Sequence, residues 1–404
     1  MSKEKESVQN SSRKMKTERK DLTLTYSLIQ MSYWMSFCIC VCFAVIYLQG
    51  KGLSNTQLGI VTALGNLAGM LIGPYMAGKM DAGMTPLKAA FILLGLRLLS
   101  MIGLLFCKSG VLVIGILFVL YMAFCVSANT VVLKIYSDIV YEKYPVNYAT
   151  ARGLGSLAFV IVSSIAGTLI EKTSVEAVPW LGIVLLVLEL LSFYRIGRYL
   201  KVNHAETQEE TSSSIAAFIK ENGLLTLTLS GTALLFFSHN IVTNFLINIV
   251  RHVGGTTAMA GYLTSFMALM ELPVMFLYTK LFGKKDQGKM LAISAIAFTI
   301  KELAFALANS QLTLSACFLL QAPSFAIYSS AIVPYVASKV EYKDAGKGQS
   351  LAYTMTDVGA ILAGFFAGRM YDTIGVTLTL WVGFAVSLLG TLICLFGLRK
   401  GERR

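Results

Sequence analysis

Carboxylates are scarce in this chain: 22 Asp and Glu stand against 34 Lys and Arg in 404 residues. Charged residues of both signs make up only 14%, histidine occurs 3 times, and the mean hydropathy is +0.67. Soluble domains carry about a quarter charged residues, so an ordinary soluble fold is excluded. There is no Gly-x-x-x-x-Gly-Lys-Ser/Thr loop, which leaves ATP drive within the chain unsupported. No Ser–His–Asp arrangement or metal-ligand cluster stands out, so nothing suggests an enzyme, and no cofactor is implied. The 7 cysteines (Cys38, Cys40, Cys42, Cys107, Cys125, Cys317 and Cys394) all lie in or at the ends of apolar stretches. On a helix Cys38 and Cys42 share a face and Cys40 points away. With no His or carboxylate beside them, they read as small packing residues.

What the chain has in their place is apolar length. Hydrophobic residues make up 55%, and a membrane-crossing helix takes about 20 of them in a run. Twelve such stretches are read at 24–49, 57–79, 87–107, 110–137, 152–171, 176–198, 223–250, 256–280, 288–308, 311–337, 348–370 and 374–397. With the N-terminus in the cytoplasm, most of the 34 Lys and Arg fall in inside segments. The outside segments hold Lys51, Lys108, Lys172, Arg251 and Arg369, while Arg97, Lys134 and Lys301 fall within spans. This is the positive-inside pattern. It predicts a multi-pass protein of the plasma membrane with both termini cytoplasmic, and it accounts for the net charge of +12 without a nucleic-acid partner. The first apolar run is a full span with no small-residue cleavage pattern after it, so no cleavable signal is expected.

Polar segments divide the chain. Residues 1–23 form a basic tail, 24–198 a first six-helix bundle, 199–222 a cytoplasmic linker, 223–397 a second bundle and 398–404 a second basic tail. The linker carries His204, Glu206, Glu209 and Glu210, and a short amphipathic helix is expected around 215–219. The halves show self-similarity. Gly59 to Thr62 opens span two as Gly261 to Thr264 opens span eight, and Gly155 to Ala158 corresponds to Gln349 to Ala352 in spans five and eleven. Repeats of this kind build membrane proteins whose site lies between the halves at mid-membrane. The fold predicted is all-α and polytopic: twelve transmembrane helices in two pseudo-symmetric six-helix bundles around a central cavity.

The loop between spans two and three contains Gly73, Pro74, Gly78, Lys79, Asp81 and Gly83, with Lys88 further on. It resembles the signature loop of the major facilitator superfamily. That resemblance implies a cytoplasmic gate of Gly78, Asp81 and Lys88, in which the carboxylate meets a helix N-terminus and basic groups in the outward-facing state. Ala82 and Pro86 stand where the family places further basic residues. The chain more narrowly resembles the lactose-permease-like, oligosaccharide–proton-symporter branch. The stretches that carry this are Gly52 to Gly59, Tyr148 to Gly155, Glu271 to Pro273, and Gly364 to Gly375. The resemblance covers about residues 25–397. It implies that Arg152 matches the span-five Arg that holds the substrate and Lys301 the span-nine Arg of the coupling network. Lys134 stands where that Arg has a carboxylate partner, Gln321 at the span-ten His, Ser324 at the coupling Glu, and Ala268 at the span-eight Glu. A galactoside substrate is therefore not expected, and coupling must use another carboxylate.

Ionisable residues at bilayer depth are functional by default. Glu271 lies past the centre of span eight, two residues before Pro273, which removes a backbone N–H and can kink the helix. A carboxyl group that is dry in one state and wet in another can take up and release a proton. The other reading is a permanent ion pair with Lys301. Lys301 and Glu302 are adjacent and point about 100° apart; Lys301 is expected to face Glu271, and Glu302 a neighbouring helix. Asp357 in span eleven is a second proton site or a hydrogen-bonded helix contact. Lys134 and Asp138 are one turn apart and neutralise one another, or Lys134 joins Arg152 in a two-cation clamp for an anionic substrate. His239, Asn240 and Asn244 in span seven and Gln321 in span ten form a polar wall that can meet substrate. His239 can titrate or sit hydrogen-bonded in the interior. Tyr26, Tyr33 and Trp34 can stack a ligand, and Tyr26 can instead anchor at the interface. Arg97 and Glu189 are read as interhelical or interfacial residues and receive no functional role.

The function predicted is secondary active transport by alternating access: proton-coupled uptake of a glycoside, nucleoside or organic anion. The alternatives are proton-driven efflux of a lipophilic compound and a non-transporting membrane sensor. The expected partners are a small-molecule substrate, protons and the lipid bilayer, with no obligate protein partner.

Overall fold

The computed structural model describes residues 20–107, 110–199, 215–341 and 344–401. The expectations for the first tail, most of the linker and the last three residues lie outside the described residues. Twelve helices are long and apolar enough to cross a membrane. They are α1 Thr23–Cys42, α2 Asn55–Asp81, α3 Pro86–Phe106, α4 Val111–Tyr141, α5 Tyr148–Lys172 and α6 Ala177–Ile196 in the first half. The second half has α7 Gly223–Asn244, α8 Thr257–Phe282, α9 Gln287–Leu307, α10 Gln311–Lys339, α11 Ala345–Thr373 and α12 Gly375–Gly401. No strand occurs among the described residues. The short linker helix is present as Ile215–Glu221.

Local chemistry sets the helix starts. Ser54 and Gln57 form a reciprocal capping box at α2, and Ser310 and Thr313 do so at α10. Side chains of Thr85, Asn147, Thr256 and Asp286 accept backbone N–H bonds at the starts of α3, α5, α8 and α9. These satisfy donors that a helix N-terminus leaves unpaired. Before α2 and α8 the chain reverses at Gly52 (φ 90°) and Gly254 (φ 74°), a left-handed geometry that costs glycine little.

The repeat read in the sequence extends to irregularities that hydropathy does not register. Spans one and seven were each expected as a single run. Each breaks near its end at a buried phenylalanine, Phe43 (φ −108°, ψ 1°) and Phe245 (φ −112°, ψ 23°). Each then resumes as a short helix, Ala44–Gly50 and Leu246–His252.

The halves join toward the membrane face opposite the start of α1 and the end of α12 (the terminal face), called here the far face. A continuous core runs from Tyr33 and Phe118 of the first half into Phe245, Ala363 and Tyr371 of the second. A separate core around Leu229, Phe298 and Tyr335 belongs to the second half alone and lies nearer the terminal face. Two helix crossings seal the far face through glycine. A Cβ on Gly59 of α2 would sit 2.0 Å from the Gly364 carbonyl oxygen of α11, and one on Gly261 of α8 would sit 3.0 Å from the Gly167 Cα of α5. Backbones approach this closely only where both residues lack side chains. Polar contacts add to the seal. Gln49 and Asn55 bond Asn248, and Ser163 and Ser164 each lie 2.6 Å from Ser265 across the α5–α8 crossing.

Candidate functional site

Below this seal, near the middle of the helices, the halves line a cavity of about 340 Å³. Helices α1, α5, α7, α8 and α10 line it. Its first-half wall centres on Arg152. The guanidinium lies 4.0 Å from the centroid of the Trp34 ring, and its Nη1 donates to Ser156 Oγ at 2.6 Å. Trp34 is itself held: its Nε1 donates to Gln30 Oε1 at 3.0 Å, and Gln30 Nε2 donates to the Tyr26 hydroxyl at 2.8 Å. Arg152 makes no salt bridge among the described residues. A stacked, poorly hydrated guanidinium keeps its five donors in a fixed plane. Phe37, Phe159 and Phe325 supply much of the apolar remainder of the lining.

The second-half wall is a hydrogen-bonded relay. Gln321 Nε2 donates to Glu271 Oε1 at 2.8 Å. Lys301 Nζ donates to Gln321 Oε1 at 3.2 Å and lies 3.0 Å from His239 Nδ1. With Lys301 as the donor, that imidazole is neutral and carries its proton on Nε2. The His239 ring is packed against Phe298 and Phe325. The relay exists because α10 is irregular at its middle. After Cys317 the backbone tightens to a 3₁₀ turn over Phe318–Gln321 and then widens to a π turn over Ala322–Ala326. Pro323 lacks the N–H that regular helix requires, and this break presents Gln321 to both Lys301 and Glu271.

The structure brings together Arg152, His239, Asn240, Asn244, Glu271 and Gln321 on one cavity. Asn240 Nδ2 donates to the Phe236 carbonyl at 2.7 Å, which leaves its oxygen toward the space. Lys301 is buried behind the wall and touches the lining only through His239 and Gln321. The direct Glu271–Lys301 contact is not made, because Gln321 stands between them. Ser324, buried, donates to the Leu320 carbonyl.

Other expectations land elsewhere. Lys134 does not join Arg152; its Nζ lies 3.6 Å from Asp81 and 3.9 Å from Asp138. The one-turn spacing on α4 keeps Lys134 beside Asp138 on a face that α2 covers. The two-cation clamp is therefore replaced by Arg152 alone. Asp357 is exposed on α11, outside the cavity lining. Gly78, Asp81 and Lys88 all lie at the terminal face, where a Cβ on Gly78 would meet open space. The Asp81 contact with Lys134 stays within the first half. Tyr26 and Tyr33 are fully enclosed and do not meet the cavity. The phenylalanine wall and Ser156 went unread, although Ser156 and Phe159 follow Arg152 at one- and two-turn spacing. Arg97 and Glu189, left without a role, form a fully buried ion pair with Nη1 and Oε1 2.8 Å apart. No group of three or more His, Cys, Asp or Glu placed to hold a metal ion occurs among the described residues.

Comparison with known proteins agrees with this architecture. A family model described as the MFS_1 like family matches residues 23–382. A probable 3-phenylpropionic acid transporter of Escherichia coli (strain K12) is 23% identical over 356 residues, covering 85% of this chain and 90% of that protein. The solved nucleoside transporter NupG superposes with a TM-score of 0.71 at 14% identity, covering 95% of this chain and 100% of that one. A bacterial homolog of the human lysosomal transporter Spinster, inward-facing and unoccupied, gives a TM-score of 0.69 at 14% identity, covering 94% and 97%. An auto-inhibited POT family peptide transporter reaches 0.76 at 8% identity, covering 94% and 96%. At these identities the structural likenesses carry the fold, not the substrate. The chain belongs to the MFS_1 like family and is a multi-pass membrane transporter of the major facilitator type.

Proposed function

We propose that this transporter takes up a small monocarboxylate with an apolar or aromatic body, together with a proton. One observation carries the reading. Arg152 lies over the Trp34 ring in a largely apolar cavity and has no salt-bridge carboxylate among the described residues. A cation placed this way is completed by an anion that the ligand brings, and a guanidinium fork suits a carboxylate. Phe37, Phe159 and Phe325 suit an apolar or aromatic body. Similarity to the 3-phenylpropionic acid transporter supports the same substrate class. A sugar or nucleoside is less well served. Both ends of the Gln321 amide are engaged by Lys301 and Glu271, and the Asn240 amide nitrogen is engaged by Phe236.

Proton coupling follows from charge. An anion arriving at Arg152 removes that cation's support for Glu271 across the cavity and disfavours a second negative charge there. A proton entering with the anion keeps the buried site neutral. We read the terminal face as cytoplasmic from the placement of Lys and Arg; the sealed far face is then the external one in a plasma-membrane importer.

Proteoliposomes holding the purified protein test this with radiolabelled 3-phenylpropionate. An interior-alkaline pH gradient should drive accumulation, and Arg152→Gln should abolish it. Uptake that ignores the gradient would remove proton coupling, and unchanged affinity in Arg152→Gln would remove the carboxylate assignment. Outward pumping of lipophilic compounds by inverted vesicles would transfer the protein to efflux. Absence of flux for every solute class would favour a sensor.

A further inference from the structure

Glu302 is a buried carboxylate that the reading above leaves unused. It is 1% exposed on α9, and its Oε1 receives no hydrogen bond. Its described cationic neighbour is Lys301, whose Nζ lies 3.8 Å from that oxygen. The lysine has three donors: one serves His239 and one Gln321, and the ammonium also lies 4.5 Å from the Phe298 ring centroid, with Glu302 beyond hydrogen-bond length. The other groups that face Glu302 among the described residues do not donate to it. The Tyr371 hydroxyl of α11 bonds the Ile241 carbonyl at 3.1 Å, and the Cys317 thiol of α10 bonds the Thr313 carbonyl at 3.1 Å. His239 of α7 faces the lysine, and Glu271 of α8 reaches it through Gln321.

The charge count on this cluster is informative. With the cavity empty, Arg152 and Lys301 oppose Glu271 and Glu302, two cations against two carboxylates. An anionic ligand claims Arg152. Lys301 then remains for two carboxylates, and an uncompensated buried charge costs several kcal/mol. If Glu302 were neutral, Lys301 alone would balance Glu271, and no proton would be needed. We propose that Glu302 is the residue that makes proton uptake obligatory when the anion binds, by competing with Glu271 for Lys301. This rests on the carboxylate reading of the cavity. The proton enters from water and adds to a carboxylate oxygen of the Glu271–Lys301–Glu302 trio; no other bond changes. Glu302 acts through Lys301 and does not touch the substrate.

The experiment uses the purified full chain and 3-phenylpropionate. Wild type should take up one proton per ligand bound, and its affinity should fall about tenfold per pH unit as pH rises through neutrality. Glu302→Gln should bind the ligand without taking up a proton and with an affinity independent of pH. Proton uptake by Glu302→Gln equal to wild type overturns the proposal. A second arm needs no ligand and separates this proposal from the substrate reading. Arg152→Gln mimics the claimed guanidinium, so infrared difference spectra at neutral pH should show one protonated carboxyl gained over wild type. It should be absent from the Arg152→Gln/Glu302→Gln double variant; its persistence there overturns the proposal, whatever the ligand. Asp357 lies outside the cluster and cancels in the difference. Lys301→Gln, which leaves Glu302 intact, should likewise gain a protonated carboxyl without ligand, and no gain sinks the charge count. Wild type that fails to bind 3-phenylpropionate while the infrared results hold would refute the substrate reading alone.

Discussion

Asp372 at the end of α11 grips Thr56 at the start of α2 twice, accepting from its backbone N–H at 2.7 Å and from its hydroxyl at 2.6 Å. The other carboxylate oxygen accepts from the Asn55 side chain at 2.8 Å and from its backbone N–H at 3.3 Å. A carboxylate from the second half thus caps a helix N-terminus of the first, where unpaired N–H groups favour negative charge. The resemblance in the sequence located such a latch at Asp81 on the terminal face. In this conformation the helix-terminus contact is found at Asp372 on the far face.

Asp372→Asn should loosen that seal. Hydrogen bonds to a charged group contribute about 1.5–3 kcal/mol, so the closed far face should lose roughly tenfold or more in population. Hydrogen exchange at the Asn55 and Thr56 amides measures this directly. Unchanged protection would mean that the glycine crossings alone hold the face shut.

Gly59→Val should act more strongly. Its Cβ would lie 2.0 Å from the Gly364 carbonyl oxygen, backbone that cannot step aside without parting α2 from α11. The expected outcome is a folded protein that binds ligand and does not complete the cycle. Transport should fall at least tenfold while binding measured by calorimetry persists. Wild-type transport rates would show that the crossing tolerates a side chain.

Arg152→Lys should fail to replace Arg152. An ammonium keeps the charge and loses the planar fork and the stack on Trp34. Loss of one charge-assisted bond and the stack corresponds to about 10- to 100-fold in affinity for a carboxylate ligand. Titration calorimetry at fixed pH reads the change, and near wild-type affinity would mean that charge alone suffices.

Arg97 and Glu189 tie α3 to α6, and Ser36 of α1 links both. Arg97 Nη2 donates to Ser36 Oγ at 2.6 Å, and Ser36 Oγ donates to Glu189 Oε2 at 2.8 Å. Breaking one side of a fully buried pair costs about 3–5 kcal/mol. Glu189→Gln should therefore lower the melting temperature of the detergent-solubilised protein markedly, and a paired Arg97→Met/Glu189→Leu replacement should recover much of the loss. A single variant that melts like wild type would show that water reaches the pair.

Much of the fold is legible in the sequence. Spacing and hydropathy reveal twelve spans, and the match of Gly59 with Gly261 marks the repeat. Both glycines turn out to occupy equivalent helix crossings, which the short motif alone did not reveal. The breaks at Phe43 and Phe245 were invisible because an apolar run looks the same whether its helix is continuous or interrupted. Buried ionisable residues pointed to the site, and Arg152, His239, Glu271 and Gln321 do meet on one cavity. Their pairing did not follow. Lys301, expected against Glu271, bonds Gln321, because the 3₁₀ turn before Pro323 and the π turn that contains it rotate that amide into the gap.

The sequence by itself determined the number and apolar character of the membrane helices, their division into similar halves, and the small set of charges placed at depth. These are properties of one helix at a time, written in composition and period. Tertiary structure alone decided that Arg152 makes no salt bridge among the described residues, that Lys134 lies between Asp81 and Asp138, and that Lys301 sits beside Glu302 as well as in the Glu271 relay. Each of these depends on how neighbouring helices are rotated and how closely they cross. That is set by packing at glycine contacts and by backbone irregularity, across residues tens to hundreds of positions apart.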